Sequence, residues 1–143
     1  MGRILGIDYG DSRIGLAISD QNQKIAFPFK TVKNKDENWI IKFFNSLILE
    51  KEIDYFVLGL PIGMNGKDTM QTVKVRAFAQ RLETLKLPIY LQDERLTSVS
   101  AKKSLIKENI KTGHMKEKID ERAASILLQQ FIDYTKNFND SIK

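Results

Sequence analysis

Residues 3–19 read Arg3-Ile4-Leu5-Gly6-Ile7-Asp8-Tyr9-Gly10-Asp11-Ser12-Arg13-Ile14-Gly15-Leu16-Ala17-Ile18-Ser19. In the second half Ile14, Leu16 and Ile18 alternate with Gly15, Ala17 and Ser19, which is the two-residue period of a strand with unlike faces. The first half is an apolar run, Ile4 to Ile7, that closes on Asp8 just before the turn Tyr9-Gly10-Asp11-Ser12. The chain therefore opens with an antiparallel hairpin that carries a carboxylate where its first strand ends.

Beyond the hairpin, helical and strand periods alternate. A third strand is expected within residues 24–33, where Pro28 cannot donate to a ladder and so points to an edge strand or a bulge. Asp36 has the chemistry of a helix cap, and Ile40, Phe43, Phe44, Leu47 and Ile48 follow it at helical spacing. Tyr55 to Leu58 is a short continuous apolar run, the pattern of a buried strand, and it empties into a glycine-rich loop, Gly59-Leu60-Pro61-Ile62-Gly63-Met64-Asn65-Gly66. A second helix is expected over residues 69–86 with Val75, Phe78, Ala79, Leu82 and Leu85 on one face, ending before Pro88. Pro88 to Leu91 reads as a strand, Thr97 or Ser98 can cap a helix running to Glu108, and residues 109–117 read as a polar loop containing the solvated His114. The last helix, over residues 118–136, aligns Ile119, Ala123, Ile126, Leu127, Gln130, Phe131 and Tyr134 along its inner side, and a polar tail follows from Asn137. This order predicts one α/β domain over residues 1–136, with a sheet of mixed direction and its ligand outside the carboxyl ends of the strands.

Composition narrows the chemistry. A length of 143 residues with 42% hydrophobic content suits one domain with a real core. No run of about 18 apolar residues is present to span a bilayer, and Met1-Gly2-Arg3 leads directly into a strand, so a cytoplasmic location is expected. The absence of cysteine excludes disulfides, thiolate nucleophiles and Cys-ligated zinc, while a single histidine excludes His-rich metal sites. Any metal must be held by oxygen. Twenty-three Lys and Arg against 18 Asp and Glu give a net charge of +5, a modest excess compatible with a polyanionic partner.

Oxygen ligands are found at two further places. Gln92-Asp93-Glu94-Arg95-Leu96-Thr97-Ser98 follows the Pro88 to Leu91 strand and sets two acids and an arginine at its end, and Asp120 opens the last helix. Asp8, Glu94 and Asp120 could share a divalent ion. Asp120 borders the apolar stripe, because Ala123, Ala124, Ile126 and Leu128 lie on its side of the helix, yet an acid in a first turn also complements the helix dipole. Both readings stand on pattern alone. Arg13 and Arg95 have the forked donors that hold phosphate, or are surface ion-pairing residues. Asp93 reads as a structural acid, and Gly59, Gly63 and Gly66 as positions of close approach or unusual backbone angle. Lys102, Lys103, Lys107, Lys111, Lys116 and Lys118 form either a basic margin for a nucleic-acid backbone or a solvated face. Trp39, Phe43 and Phe44 read as core.

The sequence resembles the YqgF (RuvX) family, Holliday-junction-resolvase-like proteins regarded as nucleases that mature the 5′ end of pre-16S ribosomal RNA. The resemblance runs from Arg3 to Tyr134 through Gly6-Ile7-Asp8-Tyr9-Gly10 with Arg13-Ile14-Gly15-Leu16-Ala17, Gly59-Leu60-Pro61-Ile62 with Asn65-Gly66, Asp93-Glu94-Arg95-Leu96-Thr97-Ser98, and Ile119-Asp120 with Ala123-Ala124. Glu121-Arg122 and Ile119 depart from the residues the family favours there. The resemblance implies a ribonuclease-H-like fold, with a five-stranded mixed sheet flanked by helices, and Asp8, Glu94 and Asp120 as catalytic ligands for one or two Mg²⁺ or Mn²⁺ ions. Two such ions would lie about 3.5 to 4 Å apart, with Asp8 as the bridging carboxylate. The substrate implied is RNA ahead of branched DNA. A junction resolvase acts as a dimer, so monomer and homodimer both stay open. Two further classes are an ATP-binding domain, which needs a second Asp-x-Gly hairpin that this chain lacks, and a non-catalytic RNA-binding protein.

Overall fold

A computed structural model describes residues 2–97 and 116–141. The helix expected up to Glu108, most of the polar loop after it, and Lys102, Lys103, Lys107, Lys111 and His114 lie outside these residues. Within them the chain runs β1 (Arg3–Tyr9), β2 (Arg13–Ser19), β3 (Ala26–Lys33), α1 (Glu37–Lys51), β4 (Ile53–Leu60), α2 (Met70–Leu82), a 3₁₀ turn (Glu83–Leu85), β5 (Ile89–Asp93), a helical turn α3 (Glu94–Thr97) and α4 (Lys116–Ser141). The five strands form one sheet in the order β3-β2-β1-β4-β5. β1 pairs antiparallel with β2 and parallel with β4, which is the mixed direction expected. Among the described residues no helix is long and apolar enough to cross a membrane.

Local chemistry accounts for the boundaries. The Asp36 carboxylate accepts from the Trp39 amide at 3.0 Å and starts α1, which stops where Glu52 turns left-handed with φ 55°. α2 starts with a reciprocal cap between Thr69 and Thr72. β3 is an edge strand, and its register with β2 shifts between Leu16 and Ala17, opposite Pro28. The proline thus produces both the edge position and the bulge.

Strand alternation divides the interior into two layers. Leu5 and Ile7, with Ile14, Leu16, Phe56 and Leu58, face α1 and α2 and join Phe44, Leu47, Val75, Phe78 and Leu82 in the larger core. Phe44 makes edge-on contacts with Phe56 and Phe78, both at 6.0 Å between ring centroids, so it ties both helices to the sheet. Ile4, Ala17 and Val57 point to the other side, where Ala124, Leu128 and Ile132 of α4 cover them. Gly6 allows that helix to sit close, because a Cβ there would come within 2.8 Å of the Leu128 Cβ. Asp8 follows Gly6 by two residues and therefore shares the α4 side of the sheet.

Candidate active site

Asp8 lies at the end of the central strand and is 9% exposed. Its cross-strand partner is Gly15. Over Gly15 sits Asp120: a Cβ added to the glycine would meet the Asp120 carbonyl oxygen at 2.3 Å and the Asp120 Cβ at 2.9 Å. On the other flank, the register Ile7 with Leu58 brings Gly59 of β4 level with Asp8. Over Gly59 lies the Glu94 carboxylate, whose Oε1 would be 2.8 Å from a Cβ added there, with Leu127 of α4 beside it. Two glycines on either side of Asp8 thus make room for the Asp120 backbone and Cβ and for the Glu94 carboxylate. The strands that end there, β1, β4 and β5, are mutually parallel, so Asp8 and Glu94 lie at the same edge of the sheet.

Asp120 differs from expectation in its place on the helix. α4 begins at Lys116, so Asp120 stands in the second turn, where the dipole of the helix end has largely decayed. It is 7% exposed and points inward. Its Oδ2 accepts a 2.7 Å hydrogen bond from Arg13 Nε, and the two side chains form an ion pair. Arg13, the first residue of β2, is thereby paired with an acid while its side chain stays partly exposed. Glu121 turns away from the acids toward β3, where the Thr31 hydroxyl donates to it at 3.3 Å, and Arg122 is exposed. These two departures from the family pattern leave the acidic edge untouched.

Arg95 is engaged differently. Its guanidinium donates to both Asp93 carboxylate oxygens, with Nη2 to Oδ2 at 2.8 Å, and its amide donates to Asp93 Oδ1 at 2.9 Å. The Arg95 side chain holds the Asp93 carboxyl below the usual carboxylate range, and Asp93 in turn raises the guanidinium. Asp93 is therefore the structural acid of this corner. Arg95 Nη1 also reaches the Gly63 carbonyl at 3.4 Å, linking the corner to the loop after β4. That loop is closed by a bridge between Ile62 and Asp68 and by Gly66, whose φ is 81°. Gly59 belongs to β4 instead of to the loop.

The donors suit a hard divalent cation, since they are all carboxylates and the missing side chains of Gly15 and Gly59 leave them space. Among the described residues, however, no three acidic, histidine or cysteine groups stand close enough together to hold an ion. The Asp120 carboxylate is turned to Arg13. Sequence reasoning missed the bracing of the β1–β2 turn: Asn34 donates to the Gly10 carbonyl at 2.9 Å, Gln71 to the Tyr9 carbonyl at 3.5 Å, and Lys74 pairs with Asp11 at 3.2 Å. These contacts span 24 to 63 residues in sequence and carry no local signal.

A sequence profile of the family described as "RuvX: Holliday junction resolvase" matches residues 2–134. A protein of Thermoanaerobacter pseudethanolicus is 41% identical over 137 residues, covering 94% of this chain and 99% of that one. One from Rickettsia typhi is 40% identical over 137 residues, covering 95% and 88%. Both bear the name "Putative pre-16S rRNA nuclease". Among solved structures, Thermus thermophilus RuvC in complex with Holliday junction substrate is similar with a TM-score of 0.60 at 13% identity, over 95% of this chain and 96% of that one. A second Thermus thermophilus RuvC structure gives 0.55 at 12% identity. At such identities the likeness is one of fold.

Proposed function

The chain belongs to the RuvX family of Holliday junction resolvases, and on that premise we propose that it is a metal-dependent nuclease that processes the 5′ end of pre-16S ribosomal RNA. The observation that carries the reading is the placement of Asp8, Glu94 and Asp120 on one side of the sheet, around the end of its central strand. Carboxylates from β1, α3 and α4 are what a hard cation needs, and no cysteine and only one histidine compete for the role. Asp8, Glu94 and Asp120 would hold Mg²⁺ or Mn²⁺, as one ion or two. The bound cation supplies an activated water and stabilises charge on the phosphodiester.

The protein's own residues supply position. Asp8 is nearly buried on the most constrained strand and lies between the other two acids, which makes it the candidate to bridge. Arg13 and Arg95 border the acids and carry the forked donors that match phosphate oxygens. Each is paired with a carboxylate here, so contact with phosphate involves an exchange of partner. Water reaches a phosphodiester held at this edge without a side-chain nucleophile. We place the protein in the cytoplasm, where the RNA would be met.

A second reading, resolution of branched DNA, is favoured by the description of the family itself. The two are separated by incubating a labelled pre-16S leader RNA and a four-way DNA junction with the protein in Mg²⁺, Mn²⁺ or EDTA. Cleavage of the RNA that stops in EDTA is expected. Symmetric cutting of the junction with the RNA left intact would replace the proposal by the resolvase reading, and activity that persists in EDTA would remove the metal from it.

A further inference from the structure

We infer that Arg13 is an internal counter-ion that competes with a divalent cation for Asp120 and, once displaced, becomes available to the phosphate of the substrate. The inference deepens the proposed function and rests on the acidic edge being a metal site. Three observations combine. The Arg13 Nε to Asp120 Oδ2 distance of 2.7 Å is that of a strong charge-assisted hydrogen bond. The Asp120 side chain is 11% exposed while that of Arg13 is 37% exposed, so water replaces the partner of the guanidinium more readily than that of the acid. The acids, finally, do not close into an ion-holding group among the described residues, and Asp120 is directed to Arg13.

A nearly buried carboxylate carries a cost unless a positive group faces it. Arg13 meets that need in the absence of an ion. A divalent cation placed among Asp8, Glu94 and Asp120 would serve Asp120 in the same way and would repel the guanidinium. Arg13 sits at the start of β2, beside the turn that follows Asp8, so release moves its head along the open end of the sheet while its strand stays fixed by pairing with β1 and β3. The guanidinium then meets a phosphate only after the ion has arrived. Coupling of this kind is reciprocal, so removing Arg13 tightens the ion, and the ion strengthens the hold of Arg13 on an anion.

The test is calorimetric titration of Mn²⁺ into the full-length wild type, Arg13→Gln and Arg13→Met, the last of which keeps the aliphatic stem. Both variants are expected to bind Mn²⁺ about 5- to 150-fold more tightly, the usual range of coupling between sites. In the wild type the Arg13 Nε–H resonance is expected to shift as Mg²⁺ is added, a readout independent of any variant. A clamp that merely orients Asp120 would give equal or weaker ion binding in the variants, or a resonance unmoved at saturating Mg²⁺, and either result overturns the inference. Absence of Mn²⁺ binding by the wild type would overturn the metal site and the inference together.

Discussion

Asp8→Asn is expected to lower cleavage of the leader RNA by roughly a thousandfold or more, because the amide keeps the shape of the side chain but replaces one anionic oxygen by a donor that a cation repels. Asp8 is 9% exposed and lies between Gly15 under Asp120 and Gly59 under Glu94, so its carboxylate is held at the middle of the acidic edge. Folding should not suffer. Relief of charge repulsion among the acids offsets lost hydrogen bonding, and the thermal midpoint is expected to stay level or rise. Single-turnover cleavage and a thermal melt on the same preparation separate the two effects. Retained cleavage would move the chemistry away from this edge, whereas loss of both fold and cleavage would make Asp8 a structural residue.

Gly15→Val is expected to damage the same site without touching a carboxylate. The new Cβ would fall 2.3 Å from the Asp120 carbonyl oxygen and 2.5 Å from its carbonyl carbon, and these are backbone atoms of a helix that cannot turn aside. α4 must lift from β2. Overpacking of this kind costs about 1–3 kcal/mol, and a displacement of about 1 Å at a reacting centre can cost about a hundredfold in rate. Gly6→Ala is the matched control, since its Cβ would meet the Leu128 Cβ at 2.8 Å, two turns further along the same helix and away from the acids. Similar losses of thermal stability with a much greater loss of cleavage in Gly15→Val is the expected outcome. Equal cleavage in the two variants would show that the fit of Asp120 over Gly15 is unimportant.

The fold was legible where one physical rule governed each segment. Alternation in residues 13–19 revealed β2, the helical spacing after Asp36 revealed α1, and Pro28 marked both an edge and a bulge. The β5 strand ran to Asp93, two residues past its apolar run, because ladder pairing of Gly59 with Gln92 and of Leu60 with Asp93 carries it on. α4 likewise began before its apolar stripe, at Lys116, and continued to Ser141, since polar residues extend a helix without any periodic signal. The shift in its start changed the reading of Asp120 from a residue of the first turn to one of the second.

The acids at the sheet edge were legible as strand-end and helix-border residues, whereas their partners were not. Nothing local in the sequence joins Arg13 to Asp120, 107 residues away, and only the packing of α4 over β2 does so. Arg95 looked equivalent to Arg13 but is held by its near neighbour Asp93, two residues before it. The small residues on the α4 side, Gly6, Gly15 and Ala17, were visible in the alternation, and together with Asp8 they mark the side on which a helix comes close. Gly59 looked like part of a loop because a strand pattern breaks at glycine, although here the missing side chain is what admits Glu94.

The most direct measurement is an anomalous-scattering map from crystals of the wild-type protein soaked in Mn²⁺. The account predicts a peak at the end of β1 with oxygen ligands from Asp8, Glu94 and Asp120, and Arg13 turned away from Asp120. A peak whose ligands exclude Asp8, or no peak at this edge under Mn²⁺ concentrations that support cleavage, would contradict it.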